Sequence, residues 1–142
     1  MRSRAVCASA LIALAGVACG GKGSSVRAQI HPGMSTGEVL QAASGWLFCG
    51  GYPDPRPNTD AFVTVTSDSL QVRGFADGDG TFRYASREEL ALALAKFMQA
   101  HPGNWTFMFG YVAVPRREYF DVSFDRKALV SAVSGIRHGG PN

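Results

Sequence analysis

Hydrophobic and polar residues alternate along most of this chain, and the period of the alternation changes several times. From Ala61 to Thr66 the pattern has period two and is rich in β-branched residues, which predicts a strand. Ser67-Asp68 then marks a turn. Leu70, Val72 and Gly74 alternate with Ser69, Gln71 and Arg73 in a returning strand, and Asp77-Gly78-Asp79-Gly80 turns into a third, short strand from Thr81 to Tyr84. The period then lengthens. Leu90, Leu94, Phe97 and Met98 share one helical face with Ala91 and Ala95 nearby, Ser86 and Glu89 have capping-box spacing, and His101-Pro102-Gly103 stops the helix.

Period two returns with Trp105, Phe107, Phe109 and Tyr111, whose partners Thr106, Met108 and Gly110 point the other way. This predicts a strand with one wholly aromatic face, continued to Val114. Pro115-Arg116-Arg117-Glu118 reads as a turn, and Tyr119 to Phe124 as the return. For Leu129, Val130, Val133 and Ile136 the 3.6-residue spacing favours a helix capped by Asp125, with a strand as the alternative. Earlier in the chain, Ser35 and Glu38 form another capping box and Met34 with Val39 a hydrophobic staple, which starts a helix of about ten residues. Trp46-Leu47-Phe48 is a candidate short strand, and Pro53, Pro55 and Pro57 predict an extended loop. The expectation is an α+β domain: a small antiparallel sheet of about five strands packed by two or three helices.

The first residues follow a different logic. Arg2 and Arg4 precede an apolar run from Ala5 to Val17, which at about 1.5 Å per residue is too short for a bilayer core of about 30 Å and reads as a secretory leader. Leu14-Ala15-Gly16-Val17-Ala18-Cys19 resembles the lipobox of bacterial lipoproteins. That resemblance implies lipidation of Cys19 and an exported chain tethered to a membrane, with the outer membrane favoured because Gly20 is not Asp. Cleavage further on, after Ala28, is the secreted alternative. Gly20-Gly21-Lys22-Gly23-Ser24-Ser25 reads as a flexible leash. The predicted organisation is a leader over 1–18, a tether over 19–32 and a single domain over 33–138.

Composition adds limits. The chain has 142 residues, 46% apolar and 18% charged, enough for one folded domain. The formal charge of +3 includes Arg2 and Arg4. Without them 12 basic residues face 11 acidic ones, and no basic stripe suggests nucleic acid. With Cys7 in the leader and Cys19 lipidated, Cys49 stands alone, better read as a small packed hydrophobe than as a nucleophile.

Candidate chemistry is thin. Asp77-Gly78-Asp79-Gly80 resembles the middle of an EF-hand loop but has Phe75 and Ser86 at the first and twelfth positions, so a Gly-rich turn is the better reading. His31, His101 and His138 lack ligand spacing for zinc, and there is no Gly-x-Ser-x-Gly. No catalytic residue, metal or cofactor is expected. Candidate ligand or partner contacts are Trp105, Phe107, Phe109 and Tyr111 on the aromatic strand, although a core role fits them better, and Arg116 and Arg117 in the turn after it; the loop from Asp54 to Pro57 is permitted the same partner-binding role.

Gly33-Met34-Ser35-x-x-Glu38-Val39-Leu40 resembles the motif that opens the domain of SmpA/BamE-like outer-membrane lipoproteins, and the β-lactamase-inhibitor-protein fold opens similarly. The resemblance implies a non-enzymatic α+β module that binds other envelope proteins. Two alternatives remain open: a small periplasmic ligand-binding domain with an aromatic-lined pocket, and an enzyme dependent on Cys49.

Overall fold

A computed structural model describes residues 22–43, 48–113 and 116–139. The leader, Cys19, the Trp46-Leu47 half of the candidate first strand and Pro115 lie outside the described residues. Among the described residues, three short helices precede or interrupt eight strands: α1 (Lys22–Ala28), α2 (Thr36–Ala42), β1 (Phe48–Asp54), β2 (Phe62–Val65), β3 (Ser69–Arg73), β4 (Gly80–Arg83), α3 (Arg87–Ala100), β5 (Asn104–Ala113), β6 (Arg116–Phe124), β7 (Val130–Val133) and β8 (Arg137–Gly139). All strands join one antiparallel sheet in the order β4-β3-β2-β1-β5-β6-β7, with β8 also paired to β6.

The sheet therefore has eight strands rather than about five, and it dominates the fold. The small α+β sheet expected from the sequence is overturned at two places. The first is the proline-rich stretch. Residues 48–54 form β1, the central strand, even though Pro53 cannot donate to a ladder. Pairing with β2 covers only Cys49 to Gly51, so one edge is already free at Pro53 and the missing N–H is tolerated.

The second place is the C-terminal segment, where the favoured helix is absent. Asp125 Oδ1 accepts hydrogen bonds from the N–H groups of Lys127 (2.8 Å) and Leu129 (3.1 Å), and Ala128 takes a left-handed φ of 62°. The carboxylate thus caps a tight loop and not a helix, and the chain turns back. Val130 enters the core, and β7 pairs with β6 across a register shift at Ser123/Phe124.

One face of the sheet carries the core. Val63, Val65, Leu70, Val72, Trp105, Phe107, Phe109, Phe120, Val122 and Phe124 are all buried on it. The rings interlock: Trp105 stacks on Phe107 (5.8 Å), Phe107 meets Phe124 edge-on (5.8 Å) and Phe109 stacks on Phe120 (5.7 Å). Helix α3 covers this face with Leu90, Ala91, Leu94 and Met98. Helix α2 adds Val39 and Leu40 and is closed by a reciprocal capping box, in which Ser35 Oγ accepts from Glu38 N–H (3.2 Å) and Glu38 accepts from Ser35 N–H (2.9 Å). At α3 the Ser86 hydroxyl accepts from Glu89 N–H (3.1 Å).

Part of the expected tether is structured. Lys22–Ala28 is helical, Val26 and Ile30 are 5% and 2% exposed, and the Arg27 side chain donates to the carbonyls of Ser134 (2.9 Å) and Val133 (3.2 Å). Gly33 N–H donates to Val130, and Val130 N–H to Met34, so the entry to α2 is pinned to β7. Burial of Val26 and Ile30 explains why a Gly/Ser-rich composition does not leave this stretch loose.

Candidate functional site

Among the described residues, helices cover only one face of the sheet. On the other, side chains from every second position stand in solvent or half-buried. Tyr52 of β1 and Met108 of β5 are 37% and 38% exposed. Strand register places Thr64, Gly50, Met108 and Asp121 in one row across the sheet, and Tyr52, Thr106 and Ser123 in the next. Gly50, in the middle of the upper row, puts no side chain between Thr64 and Met108.

Arginines frame this face. Arg56 sits in the proline-rich loop after β1, with its guanidinium 4.0 Å above the Tyr52 ring. Two contacts hold that loop in place. Asn58 donates to the carbonyl of Gly74, and Asp60 N–H donates to Asn58 Oδ1 (2.8 Å). Gly74 has a φ of 77° and lies so close to Asp60 that a Cβ would stand 2.5 Å from its carbonyl. At the opposite side Arg137 of β8 lies over Tyr119 (4.8 Å), donates to Asp121 Oδ1 (3.0 Å) and reaches Ser134 Oγ (3.3 Å). The Asp121 carboxylate beside it raises the Arg137 pKa above its ordinary value. Arg73 and Arg117 are exposed on the same face. The arrangement offers flat aromatic and thioether surface flanked by cations, which suits recognition rather than bond-breaking.

The aromatic positions singled out from the sequence are elsewhere. Trp105, Phe107 and Phe109 are 0%, 1% and 2% exposed beneath the helices, so they line no open pocket. The side chains of Tyr111, Arg116 and Cys49 lie outside the described residues, as does Cys19. Arg117 is exposed on the uncovered face. Sequence reasoning passed over Tyr52 and Met108, and reached Arg56 only as part of the Asp54–Pro57 loop. The signal for Met108 was its place between Phe107 and Phe109 in an alternating strand, which puts it on the face opposite the aromatic stripe.

Two histidines meet carboxylates. His101 Nε2 is 3.3 Å from Asp77 while its Nδ1 hydrogen-bonds the Phe97 carbonyl (2.9 Å), and His138 Nε2 is 3.4 Å from Glu118. The His101 ring packs at a tilt against Phe97 (4.1 Å) and meets Phe75 edge-on (4.9 Å), and its own carbonyl accepts from Trp105 Nε1 (3.1 Å). These contacts tie the end of α3 to the turn before β4 and leave the ring held on both nitrogens. Asp79 Oδ1 accepts from Gly74 N–H (2.9 Å) within the same turn. Among the described residues no three His, Cys, Asp or Glu side chains gather closely enough to hold a metal ion, and no helix is long and apolar enough to cross a membrane. No known protein family, characterised protein or solved structure matches this chain.

Proposed function

We propose that this chain is a membrane-tethered envelope lipoprotein whose uncovered sheet face binds another protein, without catalysis of its own. The observation that carries the reading is the asymmetry of the sheet. One face is sealed by three helices, while the other presents Tyr52, Met108 and Arg56 to solvent on a rigid backbone. Exposed aromatic, Met and Arg side chains are enriched at protein interfaces, and a partner with acidic and apolar groups suits this set. The leader, the lipobox-like run ending at Cys19 and the resemblance at residues 33–40 support the address.

In this reading the leash is short. Helix α1 starts at Lys22, so an anchor at Cys19 leaves Gly20 and Gly21 as spacer, about 10 Å of extended chain. The domain then works close to the bilayer surface instead of at the end of a long tether.

The test joins two readouts in the native cell. A fatty-acid probe labels the wild type and not Cys19→Ala. A protein that co-purifies with the wild type from membranes is lost with Tyr52→Glu, a surface change that leaves the circular dichroism spectrum as it was. Equal labelling of Cys19→Ala removes the anchor, and retention of the partner by Tyr52→Glu removes the proposed face.

A further inference from the structure

Strand β4 is one edge of the sheet, paired among the described residues to β3 and to nothing beyond it. The direction of its backbone groups follows from one hydrogen bond. Tyr84 N–H donates to the carbonyl of Asp68 (2.8 Å), the residue opposite it. In an antiparallel ladder such pairs alternate. Phe82 and Gly80 therefore also turn their N–H and C=O groups toward β3, and Thr81 and Arg83 turn theirs to solvent. An edge of this kind templates another strand unless something blunts it. No proline and no inward charge stands between Asp79 and Arg83.

The side chains along this edge are complementary to themselves. Set two copies of Asp79-Gly80-Thr81-Phe82-Arg83 antiparallel with Thr81 opposite the partner's Thr81. Arg83 then faces the partner's Asp79, and Phe82 faces the partner's Gly80, each contact occurring twice. Opposed Thr–Thr and opposite-charge pairs stabilise antiparallel strands. Within one copy Arg83 lies 3.1 Å from Asp68 in a largely exposed pair, which it exchanges for the partner's Asp79, and the Phe82 ring rests against its own Gly80, from which it turns toward the partner. The register also agrees with the backbone directions. Thr81 becomes a hydrogen-bonded pair with its own copy, and Phe82 falls in the intervening pair, where strands approach to about 4.5 Å and side chains touch most closely.

Phe82 has a reason to be covered. It is 52% exposed beside an apolar groove of about 360 Å³ between the β3–β4 hairpin and α3, walled by Leu70, Tyr84 and Phe97. In the register above, the two Phe82 rings are diagonal neighbours on the groove side of a joined sheet.

We propose that two copies of this chain associate through β4 in this register, forming one continuous antiparallel sheet across a two-fold axis at Thr81. A four-residue edge and one ring from each copy are small beside the roughly 800 Å² per partner of a stable interface. The dimer is accordingly weak, forming at tens of micromolar or wherever copies are concentrated on one surface. It uses an edge separate from the uncovered face, so it does not depend on the function proposed above.

Sedimentation velocity on the purified full chain, up to hundreds of micromolar, tests the proposal. The wild type and Thr81→Val dimerise. Thr81→Pro raises the dimer Kd about tenfold or more, since it removes an outward donor while sparing the bonds to β3. Arg83→Glu alone and Asp79→Lys alone stay monomeric because each sets like charges opposite. An equimolar mixture of the two dimerises, because both pairs in the mixed dimer are then opposite in sign. That rescue also shows that both variants are folded. A wild type that stays monomeric throughout, a dimer indifferent to Thr81→Pro, open-ended oligomers, or a mixture that fails to pair would each overturn the proposal.

Discussion

Gly51 sits in the central strand β1, opposite Phe107 of β5 on the core face. A Cβ at this position would stand 2.6 Å from two carbons of the Phe107 ring and 2.5 Å from the Thr106 carbonyl oxygen, where ordinary contact begins at 3.4 Å. Gly51→Ala therefore demands a displacement of nearly an ångström from a ring that is 1% exposed and wedged between Trp105 and Phe124. Overpacking of this kind costs about 1–3 kcal/mol. Obstruction by both a buried ring and main chain puts Gly51→Ala in the upper half of that range, about 2–3 kcal/mol, with a fall in melting temperature of roughly 10 °C for a domain of this size.

Urea unfolding followed by the fluorescence of buried Trp105 measures the difference. Phe107→Leu in the Gly51→Ala background makes room for the methyl and recovers part of the loss, so the two changes are coupled favourably by about 1 kcal/mol. A Gly51→Ala chain within 0.5 kcal/mol of wild type, or strictly additive effects in the double variant, would show that Gly51 and Phe107 are not cross-strand neighbours. The β1–β5 register and the central place of β1 would then be wrong.

Two further outcomes follow from named contacts. The pKa of Glu38 is lowered, first by its hydrogen bond from the Ser35 N–H and then by the Ser35 hydroxyl. A depressed folded pKa gives stability that is present above the unfolded value near 4.5 and is lost as pH falls through the folded value. Urea midpoints of wild type and Glu38→Gln should therefore converge on acidification, and a constant gap from neutral pH to about pH 3 would refute the assignment. Arg87 donates to the carbonyls of Leu40 (2.8 Å) and Ser67 (3.3 Å), joining α3 to α2 and to the β2–β3 turn. Arg87→Met keeps the stem and removes both bonds, and should cost about 2 kcal/mol in a thermal melt; a loss below 0.5 kcal/mol would show that the clamp is idle.

The parts of this fold that depend on local chemistry are present in the sequence. The Ser35–Glu38 box, the Ser86 cap, the apolar stripe from Leu90 to Met98, the alternation of β2, β3 and β5 and the turn at Asp77–Gly80 each announce their element within a few residues. What escapes is decided by partners distant in the chain. Val26 and Ile30 are too few to mark a helix in a Gly/Ser-rich stretch, yet the core and the carbonyls of Val133 and Ser134 hold α1 in place. Leu129, Val130, Val133 and Ile136 satisfy a helical period by spacing. Their conformation is set instead by the Asp125 carboxylate, which closes the loop at Ala128, and by the open edge of β6 that receives them.

β1 shows the same principle in its most compressed form. Phe48-Cys49-Gly50-Gly51-Tyr52-Pro53-Asp54 contains two glycines and a proline, the residues least suited to a strand. Each is used where a neighbour demands it. Gly51 admits the Phe107 ring on the covered side, Gly50 lies between Thr64 and Met108 on the uncovered side, and Pro53 falls where the β2 pairing has ended. The strand is thus built by what packs against it rather than by its own propensity. Because Gly50 carries no side chain on the open face, Tyr52 of β1 and Met108, its diagonal neighbour on β5, stand on either side of it. The same glycine-rich strand thus admits the core ring on one side and carries the partly exposed Tyr52 on the other.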